Sequence, residues 1–196
     1  MPNAEPDYEY EVFFSYKRHP QSLEWTRQVT AKLRFFLSQE LNLNEVRMFV
    51  DEEEIAPGEQ WPLRLQSALR RSKCLVCVWS PMYFQSDWCN SEWQSFRERE
   101  RLLGLDEFGL IAPLKYHDGE HFPAEAQTAQ WADISPWTST VPAFWQSARA
   151  LDLEDRLKAF AVNVAKIIKR APEFREDWPI VESKGTAVPN IELTKL

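Results

Sequence analysis

In Lys73-Cys74-Leu75-Val76-Cys77-Val78-Trp79 every residue after Lys73 is apolar up to Ser80-Pro81, and soon after it the chain reads Trp88-Cys89-Asn90-Ser91-Glu92-Trp93. A short run of this kind, rich in β-branched residues, reads as a strand buried on both faces. Ser86 and Asp87 are natural N-cap residues, so a helix is expected to start near Trp88. On that helix Glu92 has Trp88 at i−4, Cys89 at i−3 and Phe96 at i+4, which sets a carboxylate on an otherwise apolar stripe. Burying a charge costs free energy unless something compensates it. Two readings follow: a site acid beside the strand's carboxyl end, or a first-turn glutamate favoured by the helix dipole.

Working outward, strand and helix signals alternate. Tyr10 to Ser15 reads as a short buried strand, and Leu23 to about Leu43 as a helix whose Trp25, Val29, Leu33, Phe36, Leu37 and Leu41 recur at helical spacing. Val46 to Val50 is a second strand. Asp51 to Gln60 is a loop with a Pro57-Gly58 turn signal, and Trp61 to Ser72 a second helix. The helix carrying Glu92 is expected to stop at Gly104. Leu110 to Leu114 is a fourth strand, whose Pro113 suggests an edge or a strand end. Trp131 to Ile134 is a short fifth. A last helix spans about Val141 to Arg170, with a separate turn near Pro142. Arg97-Glu98-Arg99-Glu100-Arg101 reads as an exposed helix with intrahelical pairs, and Glu52-Glu53-Glu54 as a solvated loop face. The alternation predicts an α/β domain over residues 8–170, with a parallel sheet and helices on both faces. Residues 1–7 form a tail. Residues 171–196 form either an arm that packs on the domain or a linker, and a linker would make this chain part of a longer protein.

Composition narrows the function classes. The 196 residues hold 44% hydrophobic and 27% charged side chains, as a soluble globular chain does. A net charge of −7 argues against nucleic acid or an anionic membrane as the main partner. No apolar run approaches the roughly 18 residues of a membrane span, and Met1 to Asp7 is no signal peptide. Cys74 and Cys77 are three apart on a strand and point to opposite faces, which disfavours a disulfide or a metal pair and fits reduced cytosolic thiols. His117-x3-His121 lies in a polar loop without a strong third ligand, so no metal is expected. Cys89 reads as packing, because no cationic partner is evident to activate its thiol.

In a doubly wound sheet, ligands sit outside the carboxyl ends of the strands where strand order reverses. With strand one central, that crevice receives Phe14-Ser15-Tyr16-Lys17-Arg18 and Ser80-Pro81-Met82-Tyr83-Phe84, with Glu92 pointing the same way. Lys17 and Arg18 are candidates to meet phosphate, or are surface charges. Tyr83, Trp88 or Trp61 is a candidate to stack on a base. Asp51 is a loop cap or a site residue. The chain has five glycines and none follows strand one, so a Gly-rich phosphate loop is unlike it.

Four segments resemble the Toll/interleukin-1 receptor (TIR) domain family, particularly its bacterial members. Glu11-Val12-Phe13-Phe14-Ser15-Tyr16 is similar to box 1, with Glu for the usual Asp. Phe49-Val50-Asp51 through Ile55-Ala56-Pro57-Gly58 and Trp61 resembles the second strand and the BB loop. Ser72 to Pro81 resembles the third strand and its exit, and Trp88-Cys89-x-x-Glu92 the segment with the catalytic glutamate of TIR NAD hydrolases. Box 3 is hard to place, with Phe144-Trp145 a candidate. The resemblance implies a flavodoxin-like five-stranded parallel sheet and a cytoplasmic enzyme of immune or anti-phage defence. Its substrate is NAD, cleaved at the nicotinamide–ribose bond without cofactor or metal. Glu92 is then catalytic. Phe14, Ser15, Tyr16, Lys17, Arg18, Phe49, Asp51, Trp61, Ser80, Tyr83, Trp88 and Cys89 surround the substrate. Ile55, Pro57 and Gly58 serve assembly. The implied partners are NAD, other TIR domains in a homo-oligomer or filament, and a fused or separate sensor module. Two other readings stand beside it: a non-catalytic TIR scaffold, and a nucleoside deoxyribosyltransferase-like enzyme. The Pro57-Gly58 turn followed by Trp61 favours the TIR reading.

Overall fold

The first strand, β1 (Tyr10–Ser15), is buried along its whole length. So is most of β3 (Ser72–Trp79), which pairs with it in parallel from Tyr10↔Ser72 to Ser15↔Cys77. Alternation divides their side chains between two cores. Val12, Phe14, Cys74, Val76 and Val78 face one helical layer, while Phe13, Leu75, Cys77 and Trp79 face the other. Strands covered on both sides need apolar residues at every position, which is why these segments read as continuous runs.

The computed structural model describes residues 7–51, 61–105 and 109–183. After β1 come α1 (Leu23–Leu41), β2 (Met48–Val50), α2 (Trp61–Arg70) and β3, then a one-turn helix α3 (Pro81–Phe84) and α4 (Asp87–Leu103). β4 (Ile111–Lys115), the short helix α5 (Ala124–Gln127) and β5 (Ala132–Asp133) follow. Two 3-10 turns, Ser135–Trp137 and Pro142–Gln146, lead into α6 (Ala148–Lys169). All strand pairs are parallel, in the order β2-β1-β3-β4-β5. The order reverses between β1 and β3, as the crevice argument requires. Helices α1 and α6 pack together under one face of the sheet, and α2 and α4 cover the other.

Three local expectations change. The first helix stops at Asn42, which takes a left-handed φ of 53° and returns its N–H to Gln39 and Ser38, so Leu43 lies beyond it. Pro113 is not on an edge strand, since β4 lies between β3 and β5. The Tyr116 amide donates to Trp79 on β3, so Pro113, three residues earlier, turns its nitrogen to the other side. There β5 begins to pair only at Leu114, and no ladder bond is lost. Arg99 is fully buried rather than part of an exposed charged run. Its guanidinium donates to the carbonyls of Ser72 (2.8 Å) and Leu69 (3.1 Å) and lies against the rings of Phe96 and Trp178. Arg101 and Glu98 do form the intrahelical pair the sequence suggests.

Residues 171–183 hold no helix or strand, yet they pack on the domain. Trp178 is buried, Phe174 meets Tyr8 edge-on, and the Val181 amide donates to Ser95 Oγ at 2.9 Å while Ser91 Oγ donates to the Val181 carbonyl. Ser91 and Ser95 both belong to α4, so the chain after α6 runs along the helix that carries Glu92.

Candidate active site

Strand alternation sends the side chain of Ser15, the last residue of β1, to the α4 side of the sheet. The exit of β3 reaches the same place in two steps. Ser80 caps α3 by accepting the Tyr83 amide at 3.2 Å, with Pro81 at the first helical position. Ser86 then caps α4 by accepting the Cys89 amide at 3.5 Å. These caps set Tyr83 and Glu92 against the end of β1. Ser15 Oγ donates to Glu92 Oε2 at 2.5 Å and lies 2.8 Å from the Tyr83 hydroxyl.

Glu92 is not a first-turn acid. The helix starts at Asp87, which is its first-turn carboxylate, and Glu92 lies in the second turn. The dipole acts mainly on the terminal turn, so it does not account for this residue. Glu92 is 7% exposed, and burial pushes its carboxyl up to about 8 from 4.5. The Ser15 hydrogen bond opposes that rise and the charge of Asp51 adds to it. Among the described residues no cation forms an ion pair with Glu92, so a proton neutralises it at pH 7.

Asp51, directly after β2, pairs with Arg18 Nε at 3.3 Å and closes one side of this region. Cys89 is buried, and its thiol is pushed up by burial first and by Glu92 second, so it is no nucleophile at neutral pH. Phe14, Phe49 and Tyr83 are 1%, 0% and 0% exposed. Their rings hold the strands together, Phe49 stacking on Phe13 at 5.0 Å. Tyr83 therefore reaches the site through its hydroxyl and offers no face to a base. Trp88, one turn before Glu92, is half-buried against the α4-side core. The side chain of Trp61, and Ile55, Pro57, Gly58 and Glu52-Glu53-Glu54, lie outside the described residues.

Lys17 is within electrostatic reach of Cys89, whereas Tyr16 and Ser80 do not join this cluster. All three line a cavity of about 340 Å³ on the opposite, α1 side of β1, with Trp25, Tyr116 and His117. The crevice is thus two-sided, divided by the end of β1. In the sequence Trp25 falls on a helix stripe and His117 is weighed only as a metal ligand, and neither these two nor Tyr116 is placed at the crevice. A signal for Tyr116 and His117 was there, since they directly follow a strand and so emerge at its carboxyl end. Glu11 sits at the other end of β1, away from the crevice. It is buried yet held below the usual carboxylate range, because Arg47 gives it both its backbone amide (2.9 Å) and its guanidinium (2.5 Å). Among the described residues no three His, Cys, Asp or Glu side chains group as a metal site, and no helix is long and apolar enough to cross a membrane.

A family model described as TIR domain matches residues 12–147, which include Ser15, Asp51, Tyr83 and Glu92. The chain belongs to the TIR-domain family. This TIR domain is similar to that of the Toll-related receptor TRR-2 from Hydra magnipapillata, at 20% identity and a TM-score of 0.46, over 74% of this chain and 98% of that one. It is also similar to the TIR domains of the activated Roq1 resistosome that recognises the pathogen effector XopQ. There the identity is 20% and the TM-score 0.41, over 81% of this chain and 84% of that one. The TIR family includes both NAD-cleaving enzymes and scaffolds that bind other TIR domains.

Proposed function

We propose that this TIR domain is an NAD glycohydrolase that cleaves the nicotinamide–ribose bond. The observation that carries the reading is Glu92, a buried carboxyl in the second turn of α4, at the strand crevice, with a serine hydroxyl as partner and no cation paired with it among the described residues. Structural glutamates are rarely buried without a compensating charge, and strongly shifted acids collect at functional sites.

The chemistry asks for little else. Nicotinamide is already cationic in NAD and leaves as a neutral molecule, so no general acid is needed. Charge develops on the ribose as an oxocarbenium, as in glycoside cleavage. A carboxylate near that ribose stabilises the cation. The cationic nicotinamide ring favours ionisation of Glu92 when it binds. Ser15, fixed by Tyr83, orients the carboxylate, and the half-buried Trp88 limits water. If water attacks the ribose carbon, ADP-ribose forms and a proton is released. If an adenine nitrogen or a ribose hydroxyl attacks, the product is a cyclic ADP-ribose.

The finer reading is a cytoplasmic defence enzyme of bacterial type that works when TIR domains self-assemble through the loop holding Ile55, Pro57 and Gly58, under a fused or partner sensor. The test is incubation with NAD, with and without a crowding agent, and chromatography of the products beside Glu92→Ala. Nicotinamide release by the native protein alone supports the enzyme. No release from demonstrably assembled protein rejects it in favour of the scaffold.

A further inference from the structure

The chain that follows α6 is joined to α4 through hydroxyls. Ser91 and Ser95 stand one turn apart on α4, and both are buried. Buried hydroxyls need hydrogen-bond partners, and these two share one. Ser91 Oγ donates to the Val181 carbonyl, and Ser95 Oγ accepts the Val181 amide at 2.9 Å. Ser95 Oγ also donates to the Ser91 carbonyl at 2.7 Å, so its proton is committed and a lone pair is left for Val181. Residues 171–183 have no ladder of their own, and for Val181 the serine pair supplies what a strand edge would.

Rings hold the earlier part of the segment. Phe174 meets Tyr8 edge-on at 5.3 Å, just before β1, and faces the Arg71 guanidinium at 5.5 Å. The buried indole of Trp178 meets the guanidiniums of Arg99 at 5.0 Å and Arg175 at 5.1 Å. Tyr8 is at the amino end of the sheet, and Ser91 follows the exit of β3 at its carboxyl end. The segment therefore follows α4 from Arg99 back to Ser91, the residue before the acid. Glu92 Oε2 meets Ser15 Oγ at 2.5 Å, and a shift of α4 by about 1 Å along that line takes the bond to the edge of hydrogen-bonding distance. Arg175, Glu176 and Asp177, ahead of Trp178, are exposed, so the segment can be gripped from outside without entry to the site.

We propose that residues 171–183 are a positioning strap for Glu92: seated on Ser91 and Ser95, they hold the turn of α4 that aims the acid at Ser15, and their release from α4 turns the site off. The link to turnover rests on the NAD-cleaving reading, and the placement of the carboxyl does not.

Ser95→Ala and Val181→Pro remove the same hydrogen bond from its two sides. Neither alters Ser15, Asp51, Cys77, Tyr83 or Cys89, the groups that act on Glu92. Each variant is compared with the native full chain by NAD turnover and by carboxyl titration of protein labelled with carbon-13 glutamate, where Glu92→Gln identifies the Glu92 signal. The expected result is a kcat lower by ~10-fold or more with KM within ~3-fold. The Glu92 midpoint, about 8 in the native protein, is expected to fall by ~1 pH unit or more as water reaches the loosened carboxyl. The double variant is expected to be no worse than the stronger single one, since one bond is lost in each. Glu176→Ala, on the exposed part of the strap, is expected to match the native protein. A strap that only adds stability would lower the urea midpoint and leave kcat and the titration native, and that result overturns the proposal. So does a Glu92 midpoint unmoved in Ser95→Ala, which leaves the strap's own residues intact and decides the matter should Val181→Pro fail to fold. If the native protein releases no nicotinamide, the titration alone decides: a midpoint that moves keeps the positioning role and rejects only the enzyme.

Discussion

Replacing Glu92 by glutamine removes an ionisation and keeps the shape. The folded protein holds this carboxyl at about 8, against 4.5 when it is exposed. A raised folded value means the native state keeps a proton that the unfolded chain releases. The associated stability is therefore fully present below about pH 4.5 and is lost as pH rises, until the loss levels off near pH 8. The loss approaches about 1.4 kcal/mol per pH unit within that window. From pH 5 to pH 8 it sums to roughly 3 kcal/mol. In a domain of this size that corresponds to roughly 6–12 °C in Tm. Glutamine does not titrate, and its carbonyl oxygen still accepts from Ser15. Urea unfolding of both proteins at pH 5 and pH 8 isolates the effect, because every other titrating group is common to them. Glu92→Gln is expected to gain roughly 3 kcal/mol on the native protein between the two pH values. A difference constant to within ~0.5 kcal/mol would show that Glu92 is not a buried proton holder in solution.

The same shift predicts that kcat/KM for NAD rises with pH up to about pH 8, because the free enzyme must lose the Glu92 proton before the carboxylate can meet a cation; a profile flat from pH 6 to 9 would contradict it. Arg99→Ala is expected to cost roughly 3 kcal/mol or more in urea unfolding, since it orphans the Ser72 and Leu69 carbonyls; a loss under ~1 kcal/mol would mean that water replaces the guanidinium. Glu11→Gln has the opposite pH sign to Glu92→Gln. The lowered native value of Glu11 contributes stability above its unfolded value, lost as pH falls. The variant is therefore expected to be weaker by roughly 1–2 kcal/mol at pH 7, a modest figure because the Arg47 side chain is 55% exposed, and the deficit is expected to shrink as pH falls below the ordinary carboxylate range. Trp178→Ala is expected to lose roughly 3–5 kcal/mol by leaving a void over Arg99; an unchanged urea midpoint would mean that residues 171–183 do not pack in solution.

Whatever depended on local pattern was legible in the sequence. β1 and β3 announced themselves as apolar runs because both their faces are buried. Ser86 and Gly104 marked the ends of α4 through their hydrogen-bonding and left-handed preferences. What the sequence hid depends on partners far along the chain. Arg99 looks like one member of a charged run, and the carbonyls that satisfy it come from the end of α2 and the start of β3. Likewise, the sequence placed Ser15 and Tyr16 in one site because they are adjacent. Strand alternation separates them, Ser15 toward Glu92 and Tyr16 toward Trp25. Tyr83 carried the right chemistry for stacking, but α3 turns its ring into the core and leaves only the hydroxyl to act.

Glu92, Ser95 and Arg99 follow one another along a single stripe of α4, about 10 Å from first to last. Each is fastened to a different part of the fold: β1, the Val181 amide, and the start of β3. An apolar stripe can slide by a turn and exchange one hydrocarbon contact for another. A row of polar anchors has only one setting, as a single buried polar residue has in a coiled coil. The acid's position is thereby keyed into the frame at three points, and a tug on the chain leaving α6 would reach it through Val181.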